Sequence, residues 1–198
     1  MRQAGPHESA AVAGLLAEAF LDDPVLAWIN PVRSRRPALL RRLFGAQLRY
    51  DYLPGGGVQV VSGAQGQLLG AAIWKPPGTA KPGALRSARA TLALVGALRS
   101  RLPAALAVRD ALAAHCPAEP HWYLNKIGTA VPARGQGAGA ALLAAQLRHC
   151  DETATPAYLE CTRQYTIGYY EKCGFTATEP IDIPHGGPRL WGMLRHPR

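Results

Sequence analysis

The hexapeptide Arg134-Gly135-Gln136-Gly137-Ala138-Gly139 constrains this chain more than any other stretch, because it places three glycines between a predicted strand and a predicted helix. Glycine tolerates backbone geometries closed to other residues and lets a ligand approach the main chain closely. Consecutive N–H groups that open a helix form an anion site suited to a pyrophosphate. Either Arg134 or Gln136 could add a side-chain contact, and the sequence leaves both open. The spacing excludes a P-loop, since no Gly-Lys-Ser/Thr follows. It also strains a dinucleotide-binding turn. Ala140 would have to replace that motif's third glycine, with Glu160 lying at about the right distance to act as its acidic residue.

The surrounding pattern alternates strands and helices. A strand is predicted over Trp122–Ala130, a helix from Ala138 to about Cys150, a strand over Ala157–Cys161 and a helix from about Tyr165 to Cys173. Gly174 suits the end of that helix, and strands follow from Phe175 and over Arg189–Arg195. Upstream, His7–Phe20 reads as a helix with Ala11, Leu15, Leu16 and Ala19 on one stripe, stopped by Pro24. Pro37–Tyr52 reads as a second helix carrying Leu39, Leu40, Leu43, Phe44 and Leu48. After the break at Pro54–Gly57, Val58–Val61 and Leu68–Trp74 form a predicted hairpin. Residues 84–115 are rich in Ala and Leu and predict two helices parted near Leu102-Pro103, an insertion or lid within a single 198-residue domain.

Charge is uneven within a net of +9. Arg33, Arg35, Arg36, Arg41, Arg42 and Arg49 form one basic stretch, and Lys81, Arg86, Arg89, Arg99, Arg101 and Arg109 another. A nucleic-acid-binding module is therefore one reading. The plainer one is two solvated helix faces, whose field would also favour a polyanionic small cofactor. Cys116, Cys150, Cys161 and Cys173 make no CxxC pair, so neither a zinc site nor any other metal is expected. No apolar run approaches the roughly 20 residues of a membrane span, and the N-terminus lacks a signal-peptide core. The expectation is a soluble, cytoplasmic protein without a membrane partner.

Arg134-x-x-Gly137-x-Gly139, the strand ending Tyr158-Leu159-Glu160 and the run Tyr169-Tyr170-Glu171-Lys172-Cys173-Gly174-Phe175 together resemble the GNAT superfamily of N-acetyltransferases. Pro120-His121-Trp122-Tyr123-Leu124, Gly187-Pro188-Arg189-Leu190-Trp191-x-Met193 and, more loosely, Phe20–Pro24 and Trp74–Gly78 are similar to the puromycin N-acetyltransferase branch. The resemblance is close over residues 117–198 and weaker before them. It implies an α/β fold of α+β type: a mixed, mostly antiparallel sheet with a splayed parallel strand pair, flanked by helices.

It also implies acetyl-CoA as co-substrate and a small-molecule amine as acceptor, in a monomer or homodimer. The pantetheine arm would pair with backbone near Ile127, Gly128 and Thr129, and the pyrophosphate would lie over Arg134, Gly135, Gln136, Gly137, Ala138, Gly139 and Ala140. Thr166 and Tyr169 would flank the arm, and Tyr170 would protonate the departing thiolate. The structural alternative makes both tyrosines packing aromatics. Glu160 is the candidate base or, alternatively, a carboxylate paired with an arginine. Asp22 and Asp23 either hold a cationic acceptor or cap a turn, and Trp28 and Trp74 either line the acceptor pocket or fill core. A CoA-binding sensor without catalysis is a third class. Three features depart from the family pattern: Pro132 is displaced, Thr166 stands where an asparagine is common, and Gly168 falls inside a helix.

Overall fold

The computed structural model describes residues 1–78 and 84–198; Lys81, in the second basic stretch, lies outside them. The described residues form a seven-stranded sheet in the order β1-β2-β3-β4-β5-β7-β6. Its strands are β1 (Arg2–Gln3), β2 (Val58–Ser62), β3 (Leu68–Lys75), β4 (Trp122–Thr129), β5 (Ala157–Cys161), β6 (Thr176–Asp182) and β7 (Arg189–Arg195). All neighbours are antiparallel except β4 and β5. Neither the short edge strand β1 nor the helix α2 described below is predicted from the sequence pattern.

Helices cover both faces. α1 (Ser9–Ala19), α2 (Pro24–Ile29) and α3 (Arg36–Gln47) pack on one side, burying Val12, Leu16, Leu40 and Phe44 against Val58, Val60 and Ile73. The apolar stripe of α1 is turned from the predicted one: Ala11 is exposed, and Val12 takes the inward place. α3 stops five residues short of the predicted Tyr52, where Leu48–Tyr52 continues as a wider π-type turn. α4 (Ala84–Leu98) and α5 (Leu102–His115) meet at Arg99–Arg101, so Pro103 sits in the first turn of α5 rather than dividing the helices. This pair is more apolar than predicted: Thr91–His115 reaches a mean hydropathy of 1.3 over its best window, enough by length and composition for a membrane span. Arg99 and Arg101 interrupt it, and its inner side lies against the α2–α3 layer.

On the opposite face α6 (Ala138–Glu152) packs Leu142, Leu143 and Leu147 onto Ala72, Leu124 and Leu159. α7 (Ile167–Lys172) is shorter than predicted and is entered through a tight turn at Gln164–Thr166. Gly168 consequently falls in the first turn of α7, where glycine's helix penalty is small.

Two irregularities in the sheet position everything that follows. First, β4 and β5 pair only at Trp122↔Ala157, Tyr123↔Tyr158 and Leu124↔Leu159, then diverge. Alternate N–H and C=O groups of β4 beyond Leu124 therefore face a gap. Second, Ile73 opposes Lys126 while Trp74 opposes Leu124, so Asn125 is an inserted residue, a bulge. The bulge slips the side-chain alternation. Leu124 and Ile127 join the α6 side, whereas Lys126 crosses to α3 and meets Gln47 and Phe44.

Candidate active site

The gap between β4 and β5 opens a cavity of about 430 Å³. Ile127, Gly128, Thr129, Arg134, Glu160, Thr166, Tyr170, Asp22 and Asp23 all line it. Residues nominated from three separated segments thus converge on one hole in the sheet. Tyr169 does not line it; its ring instead meets that of Tyr170 edge-on at 5.3 Å. Gly128 has a further reason to be glycine. A Cβ there would lie 2.8 Å from the Ala19 Cβ, so α1 could not lie this close to β4.

The glycine turn adjoins the cavity at Arg134. Gly135 and Gly137 both adopt left-handed backbone, φ 76° and 82°, a region costing other residues about 1–2 kcal/mol. No backbone carbonyl among the described residues accepts from the N–H groups of Gly135, Gly137, Ala138, Gly139 or Ala140. Those from Ala138 onward are the unpaired donors expected where a helix begins. They are concentrated at the positive end of a 15-residue helix, α6. The side chains of Gln136 and Arg134 go different ways. Gln136 Nε2 donates to the Pro132 carbonyl at 2.8 Å and closes the turn from within. Arg134 is exposed and makes no ion pair among the described residues. The turn therefore fits a pyrophosphate through backbone donors, with one free guanidinium beside them.

The far wall is tied down rather than reactive. Asp23 is the cap of α2: its Oδ1 accepts from the backbone N–H of Val25 and Leu26, and its Oδ2 accepts from the Thr162 hydroxyl at 2.6 Å. Asp22 receives a bidentate pair of hydrogen bonds from Arg33, which hold its carboxyl below the usual carboxylate range. Asp23 thus takes the capping role of the two considered from sequence, while Asp22 keeps an exposed carboxylate on the cavity wall. Arg36 is buried and donates to the carbonyls of Asn30 and Leu21, and Arg41 pairs with Glu18. The first basic stretch is thus partly structural. Thr166 gives its hydroxyl proton to the Arg163 carbonyl at 2.8 Å, so its side chain is satisfied internally although it borders the cavity. Trp74 is buried at 1% exposure in the α6-side core, and Trp28 packs against the α1-side core. Neither is among the residues lining the β4–β5 cavity or the larger one beside it, and both take the core alternative of the sequence reading.

Glu160 and Tyr170 are the titratable groups of interest. Burial pushes the Glu160 carboxyl up to about 7, against the opposing hydrogen bond from Tyr123 and the charge of Lys126. The arginine partner considered from sequence is absent among the described residues. Tyr123 Oη donates to Glu160 Oε2 at 2.7 Å instead. Asn125 Nδ2 donates to Tyr123 Oη at 3.4 Å, and Lys126 Nζ donates to Asn125 Oδ1 and, at 3.1 Å, to Gln47 Oε1. Burial depresses the Lys126 ammonium to about 8. A polar chain from Lys126 to Glu160 thus crosses the throat of the site. Burial raises the Tyr170 hydroxyl well above its ordinary value, so the phenol keeps its proton. That makes it a hydrogen-bond donor first and an acid only as a strong base develops beside it.

A second, larger cavity of about 800 Å³ lies between α2, α3, α4, α5 and β4. Asn125, Lys126 and Glu160 belong to both cavities and form the doorway between them. Tyr123, Asn125 and Lys126 were not singled out from sequence. The paired register of β4 and β5 brings Tyr123 to Glu160, and the bulge adds Asn125 and Lys126.

A sheet with a single parallel pair that splays over a glycine-led helix defines the GNAT class of fold. The Acetyltransferase (GNAT) family model matches residues 56–175, and the chain belongs to that family. Among solved structures it resembles a histone acetyltransferase HPA2 and related acetyltransferase from Corynebacterium glutamicum, at 24% identity, TM-score 0.73, covering 99% of this chain and 94% of that one. It also resembles arylalkylamine N-acetyltransferase 2 from Aedes aegypti, at 12% identity, TM-score 0.66, covering 100% and 98%. A polyamine N-acetyltransferase from Drosophila melanogaster aligns at 16% identity, TM-score 0.58, covering 98% and 98%. These likenesses establish the fold.

Proposed function

We propose that this chain transfers an acetyl group from acetyl-CoA to the amine of a small-molecule acceptor by direct attack. One observation carries the reading: the doorway residue Glu160 joins the gap between β4 and β5, which adjoins the glycine turn at Arg134, to a separate cavity of about 800 Å³. Family membership supports acetyl-CoA as the donor. The cofactor, when bound, supplies an acyl thioester. Arg134 and the N–H groups of Gly135 and Gly137–Ala140 hold the pyrophosphate, and the open edge of β4 at Ile127–Thr129 pairs with the amides of the arm.

Glu160, ionised, takes a proton from the acceptor ammonium or through an intervening water. The amine nitrogen then attacks the acyl carbon, the new C–N bond forms, and the C–S bond breaks. Tyr170 donates a hydrogen bond to the leaving sulfur and yields its proton as charge builds there, the second proton of the attacking nitrogen restores the phenol, and the proton on Glu160 leaves to solvent. Tyr123 orients the carboxylate throughout. The helices α4 and α5 act as the outer wall of the acceptor cavity.

The motifs at Pro120–Leu124 and Gly187–Met193 support placement near the puromycin N-acetyltransferase branch, with puromycin one candidate acceptor. Four free thiols support a reducing, cytoplasmic setting. The test is calorimetric titration with acetyl-CoA followed by thiol release in the presence of amines. Saturable binding and amine-dependent release are expected. Absence of binding at millimolar acetyl-CoA overturns the reading.

A further inference from the structure

The larger cavity is walled by residues scattered along the chain, from α2 to β5. Its walls are aliphatic and aromatic side chains, among them Leu26, Ile29, Leu43, Phe44, Leu98 and Leu112. Charge within it is distributed in two places. Lys75, Arg109 and Glu119 sit exposed at the rim, where water screens them. At the doorway stand one carboxylate, Glu160, and one ammonium, Lys126, which packs 5.0 Å above the Phe44 ring. The two aspartates nearest the splay, Asp22 and Asp23, are satisfied by arginine, threonine and backbone. An acceptor nitrogen approaching the gap therefore meets Glu160 and Lys126 at the doorway, with apolar surface behind, while the charges of Asp23 and Asp51 also reach Lys126.

We propose, building on the acetyl-transfer reading, that the acceptor is an amine on an apolar body with no second cationic group, and that Lys126 selects against dications. A monoamine places its nitrogen at Glu160 and buries its body in the 800 Å³ cavity. A short diamine must leave its second ammonium either against apolar walls or beside Lys126. Both are unfavourable, because a buried charge needs a partner and a like charge repels. Lys126 reaches the doorway only through the Asn125 bulge, which turns it from the α6 side toward α3.

The experiment compares 2-phenylethylamine with 1,5-diaminopentane, acceptors of similar reach. Purified protein is assayed for thiol release from acetyl-CoA, and the same two amines are titrated calorimetrically without acetyl-CoA. The wild-type chain is expected to favour 2-phenylethylamine at least tenfold in kcat/KM and in affinity. Lys126→Met, with Lys126→Gln as a second variant should the first misfold, is expected to narrow that ratio at least fivefold, through KM for the diamine. Equal or better use of the diamine by the wild-type chain overturns the proposal, as does an unchanged ratio in the folded variants. Failure of acetyl-CoA binding strikes the acetyl-transfer reading instead, and the calorimetric preference between the amines still decides this one.

Discussion

Replacing Glu160 with glutamine should make the protein more stable and nearly inactive at once. Burial raises the Glu160 carboxyl from 4.5 to about 7. An acid with a higher pKa folded than unfolded binds more protons when folded, so its contribution is fully present below about pH 4.5 and is lost as pH rises through about 7. At 1.36 kcal/mol per pKa unit, the ionised carboxylate costs about 3 kcal/mol of stability above neutrality. Glutamine keeps the shape and can still accept from Tyr123 Oη, but it removes the charge that partly offsets the burial of Lys126. The expected net gain at pH 8 is therefore about 1–3 kcal/mol, with a rise in Tm of about 2–4 °C for each. At pH 4.5 the gain should vanish.

Kinetically, wild-type kcat should climb with pH through an apparent pKa near 7, since only the ionised form accepts a proton. That value belongs jointly to Glu160 and Lys126. The variant should lose that limb and about 10²–10⁴ in kcat. Thermal melts and saturating-amine kinetics across pH 5–9 read both effects. A variant destabilised equally at every pH, or one that keeps its rate, refutes the assignment of Glu160 as base.

Gly137→Trp should weaken acetyl-CoA binding at least tenfold by calorimetry. The turn has open space around that position, so folding should suffer only the left-handed backbone penalty of about 1–2 kcal/mol. Tyr170→Phe should lower kcat about 10–100-fold while changing the acetyl-CoA Kd less than twofold, because the ring contact with Phe175 at 6.0 Å survives. An unchanged kcat would remove Tyr170 from the chemistry.

The parts of the site that were legible in the sequence are those carried by short motifs. The glycine turn, β5, Glu160 and Tyr170 sit in one continuous third of the chain, where strand and helix periods are regular. The parts that were not legible depend on departures from periodicity. Strict alternation puts Lys126 on the same face as Leu124, and nothing in the residue types announces the Asn125 bulge that moves it. Asp22 and Asp23 show the other limit: both line the cavity, but their partners Arg33, Thr162 and the first N–H groups of α2 are supplied by the tertiary fold. α2 itself is only six residues long and begins at the very proline that ends α1's pattern, too short for periodicity to reveal.

The three-rung ladder between β4 and β5 has a consequence for how such a chain can change. It makes the sheet a partition with one doorway, and the rooms on either side have different builders. The cofactor room draws chiefly on residues 124–170 and the acceptor room on α2, α3, α4 and α5. Substitutions among Leu26, Ile29, Leu43, Leu98 or Leu112 can reshape the acceptor room while the glycine turn and the open edge of β4 stay as they are. Only Asn125, Lys126 and Glu160 are shared, so a change of clientele is confined to one side until it reaches those three residues.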